Sequence, residues 1–141
     1  MENLYTLVYV SAGTHLFSDE ELEALLAKSR ENNSKLNITG ILLYSEGNFI
    51  QAIEGKKEDI DYLFNKISLD PRHRFIIKLY QKPITERMFS EWSMGLRKVN
   101  KSGLSLVPGL SDFMEDNTSS EILKNNSSAV TQLLLSFKKN N

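Results

Sequence analysis

Two apolar segments joined by a single dipeptide constrain this chain more than any other feature. Residues Ile38 to Ser45 and Asn48 to Glu54 read as strands, and Glu46-Gly47 between them reads as a two-residue hairpin turn. Strand side chains alternate, so Phe49, Gln51 and Ile53 point to one face and Ile50 and Ala52 to the other. Both sets are apolar apart from the glutamine. A sheet built on this hairpin must therefore be covered on both sides, and Gln51 must find a polar partner. A buried amide left without one costs about 1–3 kcal/mol. A two-residue turn also sets the register: Tyr44 opposite Phe49, Leu42 opposite Gln51, and Gly40 opposite Ile53, the glycine leaving space on Gln51's side.

The surrounding pattern supplies the cover. Leu4 to Val10 is β-branched and aromatic and reads as a first strand. Ser18-Asp19-Glu20-Glu21 is a capping box that opens a helix with Leu22, Leu25, Leu26 and Ser29 on one side, fraying near Asn32-Asn33. Glu58 to Leu69 is a second helix with the stripe Ile60, Leu63, Phe64 and Ile67, stopped by Asp70-Pro71. Phe75 to Gln81 and Glu91 to Lys98 complete five strands, with Pro83 to Phe89 between them. The order βαββαββ predicts an α+β, ferredoxin-like sheet with both helices on one face.

With 141 residues the chain fits one domain and an extension. Residues 1–98 form the expected domain and 99–141 a helical C-terminal extension. Pro108-Gly109 marks a break, and Thr118 to Glu121 caps a short helix. A stronger helix carries Ala129, Val130, Leu133, Leu134 and Phe137 on one side and ends at Lys138-Lys139. Its stripe is expected to cover the far face of the sheet, where Val8, Val10, Ile50 and Ala52 project, with a second copy of the chain covering what remains.

Composition removes several classes of function. Seventeen basic and 18 acidic residues give a net charge of −1, so no electrostatic footprint for nucleic acid or an anionic membrane exists. No apolar run approaches the length of a membrane span. The first residues are acidic and strand-like, unlike a signal peptide, and the compartment expected of a chain without cysteine is the cytosol. The absence of cysteine excludes disulfides, thiolate zinc sites, cysteine nucleophiles and cysteinyl cofactor adducts, and His15 and His73 are too few for a histidine metal site.

Polar side chains gather where the helix stripes end. The first stripe runs on to Asn32 or Asn33, and the second into Asp70, Arg72 and His73. Tyr9 shares a strand face with Leu7 and Ser11. An apolar groove with polar groups at its exit suits a flat, hydrogen-bonding ring lying on the sheet. The same residues read equally as a helix C-terminus, a loop and a core tyrosine, and spacing alone names no ligand.

The motifs LVYVS, NNSKLNITGILLY, GNFIQAIEG, DPRHR and FSEWSMG occur in this order between Leu4 and Lys98. Together they resemble the BLUF domain, a blue-light sensor that uses flavin, and the fold this implies is the βαββαββ core already read. The resemblance implies a noncovalent flavin between the two helices, normally FAD, with FMN the alternative. Leu25 and Ile67 match the aliphatic residues that sandwich the ring. Asn33 matches the amide on its polar edge, and Asn32 a neighbouring contact. Asp70, Arg72 and His73 match polar contacts near the pyrimidine end. Ser29, Arg30 and Lys66 are expected toward the ribityl chain or phosphates, for which no glycine-rich loop is present.

In the family, Tyr9 and Gln51 match the photochemical pair. Tyr9 would supply an electron and a proton to the excited flavin, and Gln51, bridging the two, would rearrange and strengthen a hydrogen bond to the flavin carbonyl. A carboxamide has a donor end and an acceptor end, so one reorganisation reverses its bonding; a carboxylate cannot do this. Trp92 and Met94 match the last-strand pair linked to output, and a regular strand would place them on one face. The expected protein is a short stand-alone photoreceptor and not an enzyme, with a downstream signalling protein and a homo-oligomer as partners. It would have neither nucleic acid nor membrane as a direct partner. A small flavin-dependent reductase, a non-photoactive interaction module and an acylphosphatase are the rivals. The first lacks a nicotinamide motif, and the last lacks an arginine in the loop SAGTHLF.

Overall fold

The computed structural model describes residues 3–45, 47–90, 93–98 and 130–135. The elements are β1 (Leu4–Gly13), α1 (Asp19–Leu36), β2 (Thr39–Ser45), β3 (Asn48–Lys56), α2 (Lys57–Ser68), β4 (His73–Pro83) and β5 (Gly95–Lys98). The sheet order is β4-β1-β3-β2-β5, the ferredoxin-like order with β5 added at one edge. β5 runs parallel to β2; the other pairs are antiparallel.

The hairpin has the predicted register, with Tyr44 opposite Phe49, Leu42 opposite Gln51 and Gly40 opposite Ile53. Gly47 has φ 91°, the left-handed geometry a tight hairpin turn demands. Gly40 departs from expectation. Ala52 O lies 2.1 Å from where its Cβ would be, so the missing side chain admits the neighbouring backbone and opens no space beside Gln51.

α1 begins with the predicted capping box: Glu21 N donates to Ser18 Oγ and Ser18 N to Glu21 Oε1, both at 3.1 Å. The helix does not fray at Asn32-Asn33. It continues to Leu36, and Asn37 caps it in the left-handed region at φ 54°. Asn33 is tolerated inside the helix because its amide bonds a distant carbonyl and so does not compete with the helix backbone.

Two apolar layers flank the sheet. On one side Leu7, Leu42, Tyr44, Phe49 and Ile53 pack against Leu22, Ile60 and Leu63 of the helices. On the other, Val8, Val10, Ile41, Leu43, Ile50, Ala52 and Leu79 pack against Phe89 and against Val130, Leu133 and Leu134. Residues 130–135 are helical, so the tail covers the far face as predicted. Tyr80 of β4 adds a hydrogen bond to Thr131 Oγ1. The expected cap at Thr118 to Glu121, and Ala129 and Phe137, lie outside the described residues.

The connection from β4 to β5 is fastened by a buried carboxylate. Glu54 accepts from Met88 N at 2.6 Å, Phe89 N at 2.9 Å and Thr39 Oγ1 at 3.0 Å. Arg87 reinforces it, donating to Glu54 O, Thr39 Oγ1 and Asn37 O. β5 itself is shorter than predicted, starting at Gly95 and not at Glu91. Ser93 and Met94 form a bend ahead of it.

Candidate functional site

A cavity of about 610 Å³ lies between α1 and α2 with the sheet as its floor. That is the size of a small-molecule site. Its walls are apolar: Leu25 from α1, Leu63 and Ile67 from α2, and Phe49 and Leu42 from the hairpin. Its polar groups are Asn32, Asn33 and Ser29 from α1, Lys66 from α2, Gln51 and Tyr9 from the floor, and Asp70, Arg72 and His73 from the turn into β4. Every residue expected to touch a ring ligand therefore borders one space.

Tyr9 and Gln51 are direct cross-strand partners in the β1–β3 ladder, so the backbone itself brings them together. Both are buried, and Tyr9 OH donates to Gln51 Oε1. Burial, and secondarily the carboxylate of Asp70, pushes the Tyr9 hydroxyl above its ordinary range. It therefore stays a proton donor at neutral pH. The other end of Gln51 donates to Met94 Sδ at 3.4 Å. Met94, only 1% exposed, thus sits at the glutamine, although it precedes β5 and does not lie on it. Trp92, its expected companion, lies outside the described residues.

Asn33, also 1% exposed, donates through Nδ2 to Ser93 O at 2.9 Å. Asp70 is gripped by Arg72, whose Nε reaches Oδ1 at 2.9 Å and Oδ2 at 3.0 Å. The Arg72 guanidinium holds the Asp70 carboxyl below its usual range. His73 Nε2 donates to Ile67 O at 2.5 Å, and its Nδ1 meets Ser11 Oγ at 2.9 Å. The imidazole is thereby fixed edge-on to Tyr9, with ring centres 6.4 Å apart.

Arg30 stands apart from these groups. It does not border the cavity; its Nε donates to Met94 O at 3.1 Å. Lys28 borders it instead. The sequence does carry that signal, since Lys28 stands one helical turn before Asn32 on the same face. Phe49, Leu42 and Leu63 read as core from their alternation and stripe, and they are core residues that also line the site. Phe17 enters from the loop ahead of α1, where no periodicity announces it.

The groups present fit a planar heteroaromatic ring that both donates and accepts hydrogen bonds. Aliphatic side chains from opposite helices offer two faces, and carboxamides offer both bonding senses at the edge. The fold and this cavity define the class: a small α+β ligand-binding domain whose floor carries a tyrosine–glutamine pair. A family model described as BLUF, sensors of blue-light using FAD, matches residues 4–95. The chain belongs to the BLUF family.

Its relatives include the photoactivated adenylate cyclase subunit beta of Euglena longa, 37% identical over 112 residues, which are 79% of this chain and 13% of that protein. Subunit alpha from Euglena gracilis is 43% identical over 93 residues, 64% of this chain and 9% of that one. The chain thus spans only a small part of these proteins. Among solved structures, BlrB, a BLUF protein in its dark state, matches with TM-score 0.66 and 35% identity over 91% of this chain and 98% of that one. BlsA in its photo-activated state matches with TM-score 0.74 and 29% identity over 93% and 91%.

Proposed function

We propose that the cavity between α1 and α2 holds a flavin noncovalently and that Tyr9 and Gln51 convert blue-light absorption into a change of hydrogen bonding. The carrying observation is the buried Tyr9–Gln51 hydrogen bond on the floor of a ring-sized cavity. When bound and excited by blue light, a flavin supplies a one-electron oxidant. Tyr9 would give up an electron and its phenolic proton and later regain both, so the cycle closes without net oxidation. Gln51 lies in the path of that proton. Its Oε1 holds the tyrosine, while its Nε2 spends itself on a thioether, a weak acceptor. The donor end is therefore cheaply redirected, and a rotated or tautomerised amide would offer the ligand a new hydrogen bond.

Leu25 and Ile67 are the residues to hold the two faces of the ring, and Asn33 and Asn32 its polar edge. Asp70, Arg72 and His73 form the wall at the β4 end. Ser29, with the exposed lysines Lys28 and Lys66, one from each helix, would meet a ribityl chain and phosphates where they leave the cavity. FAD is the expected cofactor; BlrP1 of Klebsiella pneumoniae has a structure with FMN. Chromatography of the flavin released on denaturation decides between them.

The output would be conformational and not catalytic, taken up by an effector domain or separate signalling protein, or by a second copy of the chain. Residues 1–98 would be the sensor and 99–141 the extension that carries its signal. No helix among the described residues is long and apolar enough to cross a membrane. The test is the absorption spectrum of the purified protein in darkness, under blue light and after return to darkness. A flavin spectrum with a small reversible red shift is expected, and Gln51→Leu and Tyr9→Phe should each stay yellow and lose that shift. A normal shift in the Gln51 variant overturns the mechanism; steady NAD(P)H consumption would mark a reductase.

A further inference from the structure

Met94 meets Gln51 from a bend, not from within a strand, so its position needs an explanation that β5 does not supply. β5 pairs with β2 over only four residues, starting one residue later. The bend is held from the side by α1. Asn33 Nδ2 donates to Ser93 O at 2.9 Å, and Arg30 Nε donates to Met94 O at 3.1 Å. These two side chains stand three residues apart, on one side of the helix, and grip two consecutive carbonyls. Further along, Lys98 at the end of β5 forms an ion pair with Asp19 at the start of α1.

We propose that Arg30 is a positioning residue: from helix α1 it holds the Met94 carbonyl so that Met94 Sδ rests on Gln51 Nε2. The inference rests on Gln51 and Met94 being the responding pair. Arg30 borders neither the cavity nor the tyrosine. Arg30 is an exposed residue of α1, and its part-buried hydrogen bond to Met94 O ties it to the bend. A thioether–amide contact is too weak to hold a bend by itself, whereas a charged donor on a backbone carbonyl is among the stronger hydrogen bonds. The geometry explains why Met94 remains at the glutamine although the strand behind it is short.

The test uses two substitutions in the full chain. Arg30→Met keeps the side-chain length to the Nε position but removes the donor. Arg30→Gln places an amide N–H at that same position. Arg30→Met should retain its yellow colour and its red shift. Its Gly95–Lys98 amides should exchange hydrogen about threefold faster, the loss of one partly exposed hydrogen bond. Dark recovery should slow about threefold, because Met94 must be re-seated in each cycle. Arg30→Gln should restore both exchange and recovery.

Exchange and recovery at parent values in Arg30→Met, or an Arg30→Gln variant as impaired as Arg30→Met, would overturn the proposal. A parent protein without any blue-light shift, in which Arg30→Met still loosens residues 95–98, would overturn the photosensor reading and uphold the grip on Met94.

Discussion

The two ends of the Gln51 carboxamide are bonded unequally. One accepts from a buried phenol, the other donates to a sulfur. Half of this was legible in the sequence. Alternation and a two-residue turn place Gln51 opposite Leu42, whereas Tyr9 as its partner was implied by the resemblance to the BLUF family and not by spacing. The Met94 contact was not legible, since it depends on a bend placed by helix α1 and on no local periodicity. The raised Tyr9 ionisation also has a consequence at this scale. The unfolded phenol ionises near its ordinary value of 10 while the folded one does not. Stability from this group is therefore intact below about pH 10 and lost as pH rises beyond it. Between about pH 10 and 11 the parent should lose roughly 1 kcal/mol more than Tyr9→Phe, measured by denaturant unfolding at each pH.

Among the elements, β3 carries the most. Its face toward the helices bears Gln51, and Glu54 on the other face fastens residues 87–89. Glu54→Ala would remove the carboxylate that accepts from Met88 N and Phe89 N and should cost about 2–4 kcal/mol, measured as a fall in the denaturation midpoint. Glu54→Gln, keeping one acceptor oxygen, should lose less. Gly40→Ala pushes a methyl into the Ala52 carbonyl and should cost about 1–3 kcal/mol by the same measurement, with the β2–β3 amides losing exchange protection first. Element types were readable because stripes and alternation are local. Ends were not: α1 outran its asparagines because Asn33 found a tertiary partner, and β5 shrank because its first residues follow the bend at Ser93 and Met94.

At the scale of the molecule, the chain is a sheet with two unlike sides, a ligand cavity under the helices and a greasy layer under the tail. The need for cover on both sides was evident in a hairpin apolar on both faces. Which tail residues supply it was evident in the stripe containing Val130, Leu133 and Leu134. Leu134→Asp puts a carboxylate into that layer. It should release the tail, raise binding of a hydrophobic dye and promote self-association in size-exclusion chromatography. Flavin content should remain at the parent level, because the cavity lies on the opposite side.

Neighbours in the chain at β3 belong to different compartments: Gln51 looks into the ligand chamber while Ile50 and Ala52 touch the layer beneath the tail. No chain of side chains is then needed to carry news through the sheet, because any sideways slip of this one ribbon is felt at once on both sides. Ile50→Val, which trims a methyl group on the face turned away from the cavity, should accordingly alter the lifetime of the illuminated form. Flash spectroscopy finding the parent lifetime in that variant would show that the two compartments do not communicate through the ribbon.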